Sequence, residues 1–289
     1  MNISIIITNW NGISLLKKYF EKVILASPEA SEFIFADDAS EDNSVSFIKN
    51  LQKKYPKIKI MAHHKNQGFG KNSNNAVSRA KGELVVLLNS DIDPHPGYIS
   101  KCLSHFSDPK VFGVGFAELN HENYGKIFWK NGYIQIEPGI STQTHISAWI
   151  SGGSSIIRRS EFLRLGGFDG VYKPFYFEDL DLGLRAWRSG YQLLWEPKAV
   201  VEHKHESTMS KKPKTLLTYV KERNHLICVH RNISNISLLR QNHLFSFLRI
   251  LSGPNYIKII LAASRQLKKY PPPVTFPQLT DLEVFSLFK

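Results

Sequence analysis

The sequence predicts an α/β fold, a mostly parallel sheet flanked by helices with a helical C-terminal extension. Strand-like apolar runs alternate with helix-spaced segments through the first hundred residues. Polar clusters rich in Asp, Asn and His follow those runs, where open α/β sheets bind ligands. Beyond Pro213 the pattern becomes helical and basic.

ISIIIT (3–8) is a buried strand, and residues 14–26 set Leu15, Leu16, Tyr19, Phe20, Val23 and Ile24 on one helical face. EFIFA (32–36) is the second strand, followed by the acidic loop DDASEDNS and a helix through Phe47, Ile48 and Leu51. KIKIMA (57–62) is the third strand, and a helix near 73–80 leads into the fourth, ELVVLL (83–88). From 111 to 160 the pattern loosens into short strands within VFGVGFAEL and ISAWISGGSSIIRR, with Gly and Ser where the backbone bends. YQLLWEP and KAVVEH predict two further short strands, the second ending at His203. Three helical segments follow, TLLTYVKERNHLICVH, ISLLRQNHLFSFLRIL and NYIKIILAASRQLKKY, and residues 271–289 open with three prolines as an extended tail.

With 289 residues, 42% of them hydrophobic, the chain can bury a core in one large domain plus an appendage. We divide it at 1–210 and 211–289 because the charge divides there. The formal +12 arises from 24 basic against 22 acidic residues up to 210, and 13 against 3 beyond it. A basic extension favours an anionic surface as partner. Its helices lack interleaved aromatics, so a membrane surface is expected and nucleic acid is not. Leu244 to Ala263 is interrupted by Arg249, Ser252, Gly253, Pro254, Asn255 and Lys258, too broken to span a bilayer. An amphipathic pair on a membrane and a cap on the domain's own core both remain open. Cys102 and Cys228 form neither a disulfide framework nor a zinc spacing, and the N-terminus lacks a secretory pattern. The expected location is cytoplasmic, peripheral on the inner face of the cell membrane.

Four clusters carry candidate chemistry. Asn89-Ser90-Asp91 ends the fourth strand, where a carboxylate can hold a divalent cation against a diphosphate; a turn accounts for the same residues. Asp37 and Asp38 end the second strand, placed to bond a base or ribose or simply to cap a loop. In NQGFGKNSNNA, Gly68 permits close backbone approach, and Asn66 and Asn74 offer neutral hydrogen bonding. In FYFEDLDLGLRAWRSG, Leu180, Leu184 and Trp187 share a face and Asp181 can pair with Arg185. Helix initiation alone explains Glu178, Asp179 and Asp181, but the aromatics before them could shield a carboxyl and raise its pKa toward a base's working range. His203 is a candidate metal ligand or a surface imidazole.

Taken in order, IIITNWNG, DDASEDNS, NQGFGKNSNNA, GELVVLLNSDIDPHPG, SGGSSIIRRSEFLRLGGFD, FEDLDLGLRAWRSGYQLLWEP and VVEHKHES resemble the family 2 glycosyltransferases, particularly the bacterial rhamnosyltransferase-like branch. The resemblance implies a GT-A fold with a nucleotide-sugar half (1–110) and an acceptor half (111–210). It implies an inverting enzyme of the hexosyltransferase type that moves sugar from a nucleoside diphosphate sugar, UDP or dTDP rather than GDP, to a saccharide or lipid-linked acceptor in envelope polysaccharide synthesis. Thr8, Asn9, Trp10, Asn11 and Asp37 would hold the nucleotide, together with Asp38, Asn66, Gly68, Asn74, Asn89 and Ser90. Asp91 would bind Mg²⁺ or Mn²⁺ with His203. Asp179 would be the base, and Gly152, Gly153 and Glu178 would face the acceptor. A catalytically silent nucleotide-sugar binder or scaffold of the same fold is the competing expectation, and oligomeric state is left open.

Overall fold

The computed structural model of the chain describes residues 1–119, 124–204, 213–273 and 275–289. The 210/211 division lies outside them. β1 (Ile3–Asn9), β2 (Ala30–Asp37), β3 (Ile58–Ala62) and β4 (Leu84–Asn89) are parallel neighbours in the order β3-β2-β1-β4. Between them run α1 (Ile13–Ala26), α2 (Ser44–Lys54) and α3 (Phe69–Arg79). Both faces of these strands are covered, so their apolar runs are continuous. Ile5, Ile7, Val86 and Leu88 pack into the core under α1 and α2, whereas Ile6, Val85 and Leu87 face the opposite core.

Past β4 come β5 (Ile92–Pro94), α4 (Ser100–Leu103), β6 (Val111–Glu118), the hairpin of β7 (Tyr124–Lys130) and β8 (Tyr133–Gly139), and β9 (His145–Ile146). β10 (Ser154–Arg158), α5 (Arg159–Arg164), α6 (Glu178–Arg188) and β11 (Gln192–His203) follow. Among the described residues the main sheet continues β4-β10-β6-β11-β5, with β9 also on β11. β10 is antiparallel to β4 and β6, while β6 and β11 are parallel.

Four expectations change. α3 starts at Phe69, well before 73, because the Asp38 carboxylate accepts from the backbone of Gln67 (2.7 Å) and Gly68 (2.8 Å) and anchors its start from thirty residues away. YQLLWEP and KAVVEH form one strand, whose register with β6 jumps between Glu196 and Val200; Pro197, which lacks an N–H, falls within that irregularity. ISAWISGGSSIIRR is not one strand: Ile146 ends the two-residue β9, and β10 forms only from Ser154. The tail is not wholly extended, since Thr280 and Glu283 form a capping box that starts α10 (Asp281–Ser286), and Val284, Phe285 and Phe288 are buried.

The C-terminal helices α7 (Lys214–Asn232), α8 (Ile236–Ser252) and α9 (Tyr256–Lys269) differ in role. α7 buries Leu226, Ile227, Cys228 and Val229 in the core shared with α6, so it is a cap on the domain. Cys102 and Cys228 are both free and buried.

Candidate active site

At the carboxyl end of β1, Thr8 Oγ1 donates to Asn89 Oδ1 (3.2 Å), tying β1 to β4. Asn9 Nδ2 donates to Asp37 Oδ1 (2.9 Å), and Ser40 donates to both Asp37 oxygens from its hydroxyl (2.6 Å) and its amide (2.9 Å). Asn11 sits in the left-handed region at φ 53°, its Oδ1 accepting from Glu41 N (2.8 Å). Trp10 stands exposed at the rim. Asn66 Oδ1 accepts from Gly68 N (3.1 Å), so Asp38, Asn66 and Gly68 form one loop. Asn74 is turned elsewhere: its Oδ1 and Nδ2 bond the backbone N and O of Phe168, each at 2.9 Å.

Asp91, between β4 and β5, meets His203 by sheet register. β11 pairs His203 with Ile92 on one side and Val201 with Glu118 on the other. The imidazole therefore lies between two carboxylates, Nε2 at 3.2 Å from Asp91 Oδ1 and Nδ1 at 2.9 Å from Glu118 Oε2. Burial alone would lower its pKa, but the two carboxylates prevail and raise it to about 9. Asp91 Oδ2 is buried with no hydrogen-bond partner. Among the described residues no group of three or more His, Cys, Asp or Glu is arranged to hold a metal ion. Glu118, which the sequence reading does not single out, stands at the carboxyl end of β6, where the same strand-end rule applies.

Gly152 and Gly153 lie beside this strand end. A side chain on Gly153 would stand 2.3 Å from Asn89 Nδ2, and Gly153 O accepts from Asn89 N (2.9 Å). Gly153 therefore permits close packing on β4, whereas Gly152 lies against the rings of Phe69 and Phe168. From Gly153 back to Trp149 is four residue steps, at most about 14 Å of chain, and Trp149 lines a cleft of about 420 Å³ together with Asp179.

The cleft is walled by Tyr176, Phe177, Trp149 and Ile136, and closed on the far side by Lys221, Glu222 and His225 of α7. His225 stacks on Phe177 at 5.3 Å between ring centroids. Tyr176 and Phe177 both have positive φ, 71° and 78°, a strained conformation for large side chains. Asn224 of α7 holds them there, its Nδ2 lying 2.8–2.9 Å from the carbonyls of Tyr172, Phe175 and Tyr176. α6 starts immediately afterwards, with Glu178 and Asp179 in its first turn. A helix N-terminus favours ionised acids, yet burial outweighs it. Burial and the neighbouring Asp179 push Glu178 up to about 8, and burial raises Asp179 as well. Glu178 Oε2 has no partner.

Asp181 has a different task. Fully buried, it accepts from Arg185 Nε, the Tyr172 hydroxyl and Asn232 Nδ2, each at 2.8 Å, while Arg185 also donates to the carbonyls of Leu165 (2.5 Å) and Gly167 (2.7 Å). That network satisfies both charges and locks α6 against α7.

The arrangement resembles known sugar-transferring enzymes. The chain is 25% identical over 235 residues to the N-acetylglucosaminyl-diphospho-decaprenol L-rhamnosyltransferase of Mycobacterium tuberculosis, covering 67% of this chain and 73% of that one. Its fold matches GalNAc-T7, solved with UDP, GalNAc and Mn²⁺, at a TM-score of 0.65 and 17% identity over 80% of this chain but only 48% of that one. The mannosyltransferase PcManGT of Pyrobaculum calidifontis, solved with GDP-Man and Mn²⁺, matches at 0.61 and 16% identity over 91% of this chain and 75% of that one. The fold is thus GT-A. The model of the family described as "Glycosyl transferase family 2" matches residues 4–179, more than half of the length, and the chain belongs to that family of glycosyltransferases.

Proposed function

We propose that this glycosyltransferase moves a sugar, with inversion, from a nucleoside diphosphate sugar to a lipid-linked saccharide of the cell envelope. The observation that carries the reading is Asp179, a carboxyl with a raised pKa in an aromatic cleft, one short segment away from the Asn89–Asp91 strand end. In the transfer, Asp179 takes the proton of the acceptor hydroxyl as that oxygen bonds to the anomeric carbon, and the bond from that carbon to the diphosphate breaks. The aromatic walls position the acceptor and exclude water. Glu178 borders the base on the acceptor side. The loops at Thr8–Asn11, Asp37–Asp38 and Asn66–Gly68 hold the nucleotide. Asp91, with its unpartnered buried oxygen, would hold Mg²⁺ or Mn²⁺, joined by His203 only as the metal displaces the imidazole proton; when bound, the ion neutralises charge on the departing diphosphate.

The lipid-linked acceptor is supported by the name of the mycobacterial relative. The test is a product assay by mass spectrometry. UDP-, dTDP- and GDP-sugars are offered with a polyprenyl-diphosphate-linked saccharide, with and without Mn²⁺. One sugar added to the acceptor, with the anomeric configuration inverted, is expected. Donor binding without any transfer across the panel would point instead to a silent member of the family.

A further inference from the structure

α8 meets the core through Leu238, Leu239 and Phe245, yet part of its inward face is polar. Its inward face carries polar Asn242 and Ser246, Asn242 Nδ2 donating to the Gly132 carbonyl (2.8 Å) and Ser246 Oγ meeting the Tyr133 hydroxyl (3.0 Å). Its outward face carries Leu244, Phe247, Leu248 and Leu251, exposed by 56, 56, 43 and 65%. The spacing i, i+3, i+4, i+7 makes these one stripe. α9 adds Ile257 and Leu261, exposed by 45 and 48%. Arg265 and Lys268 continue its outward face by the same spacing.

Large apolar side chains gathered on a helix that has polar residues to turn outward are a docking surface. The charge around them selects the occupant. Residues 223–280 contain eight Lys or Arg and no Asp or Glu; Arg231 is buried on Asp169 and Arg249 pairs with Glu222, which leaves six basic residues outside these two ion pairs. A second copy placed on this stripe would oppose like charges, whereas anionic headgroups around an apolar insertion match both features. Among the described residues no helix is long and apolar enough to cross a membrane, so contact would be along the surface. Beside the α8–α9 turn lies a cavity of about 690 Å³ lined by Arg249, Lys258 and Glu222, and Glu222 also lines the Asp179 cleft.

We propose that the outward stripe of α8, continued by α9, docks on a bilayer containing anionic lipid, with Leu244, Phe247, Leu248 and Leu251 entering the headgroup region and the Asp179 cleft held beside a lipid-borne acceptor. The last clause rests on the function proposed above; the docking itself does not. The full chain is sedimented with vesicles of phosphatidylcholine alone or mixed with phosphatidylglycerol. Pelleting with the mixed vesicles only, weakened by salt, is expected. The double variant Phe247→Ser/Leu251→Ser should bind them at least about tenfold more weakly. Because both residues are exposed, it should keep the parent's thermal midpoint and its turnover on a water-soluble acceptor. Unchanged vesicle binding by the variant would overturn the proposal, as would a parent chain that ignores anionic vesicles. So would a lipid-free dimer that the variant dissociates, which would make the stripe a subunit interface. If the proposed reaction itself is wrong, the parent chain transfers no sugar to any acceptor whatever the vesicles show.

Discussion

At the ends of β1 and β2 the acids are bonded to neighbours: Asp37 to Asn9 and Ser40, Asp38 to the backbone of Gln67 and Gly68. At the start of α6 two acids stand side by side, Glu178 has an unpartnered oxygen, and the two residues before them hold positive φ. On the proposed donor side Asp37 and Asp38 fix loop shape, while Asp91 keeps one buried oxygen unpartnered. On the proposed acceptor side Glu178 keeps an unpartnered oxygen and Asp179 Oδ1 accepts from Leu180 N (2.8 Å), after a strained turn held from outside by Asn224. Groups that fix a binding surface should be satisfied before the ligand arrives, whereas a group that must accept a proton needs a free oxygen and a raised pKa.

The largest effect that tests this contrast falls on the acceptor side. Asp179→Asn should lower turnover by about 10²–10⁴-fold, the usual contribution of a positioned base. On the donor side, Glu118→Gln, which weakens the support of His203, should cut the metal-dependent affinity for nucleotide sugar by about 10–100-fold in calorimetry. Asn224→Leu leaves three carbonyls without their donor and should cost about 1–3 kcal/mol in urea unfolding. It should also slow turnover, since the turn before α6 loses its clamp. The smallest effect is in the pH dependence. Glu178 titrates near 8 when folded, above its ordinary value of 4.5, so the folded state holds the extra proton between those values. Stability should therefore fall as pH rises across that window, while turnover rises as the pair gives up its protons. Glu178→Gln should flatten the loss of stability.

Much of the donor side was legible because it is local. β1 to β4 are continuous apolar runs, and the rule that ligands gather at strand ends found Asn89–Asp91 and Asp37. The Asp181–Arg185 pair followed from helical spacing. Two local signals were overlooked, the Asn131-Gly132 turn that makes the β7–β8 hairpin, with φ of 53° and 76°, and the Thr280–Glu283 capping box. The remaining features were hidden by distance along the chain. Asp38 anchors the start of α3, Asn224 clamps a turn about fifty residues earlier, and α7 closes a cleft whose floor is on α6. No periodicity within a short window reports such pairings. Nor did it reveal that α8 would turn Asn242 and Ser246 inward, since their partners Gly132 and Tyr133 are about 110 residues away.

The division between the two sides is tested most directly by measuring donor affinity and turnover in parallel for Asp179→Asn and Asp91→Asn. The account predicts a crossed result. Asp179→Asn should bind nucleotide sugar with Mn²⁺ as tightly as the parent chain and turn over about 10²–10⁴-fold more slowly, while Asp91→Asn should lose the metal-dependent part of its donor affinity. Turnover at the parent rate by Asp179→Asn, or donor binding by Asp91→Asn that still strengthens with Mn²⁺ as in the parent, would contradict it.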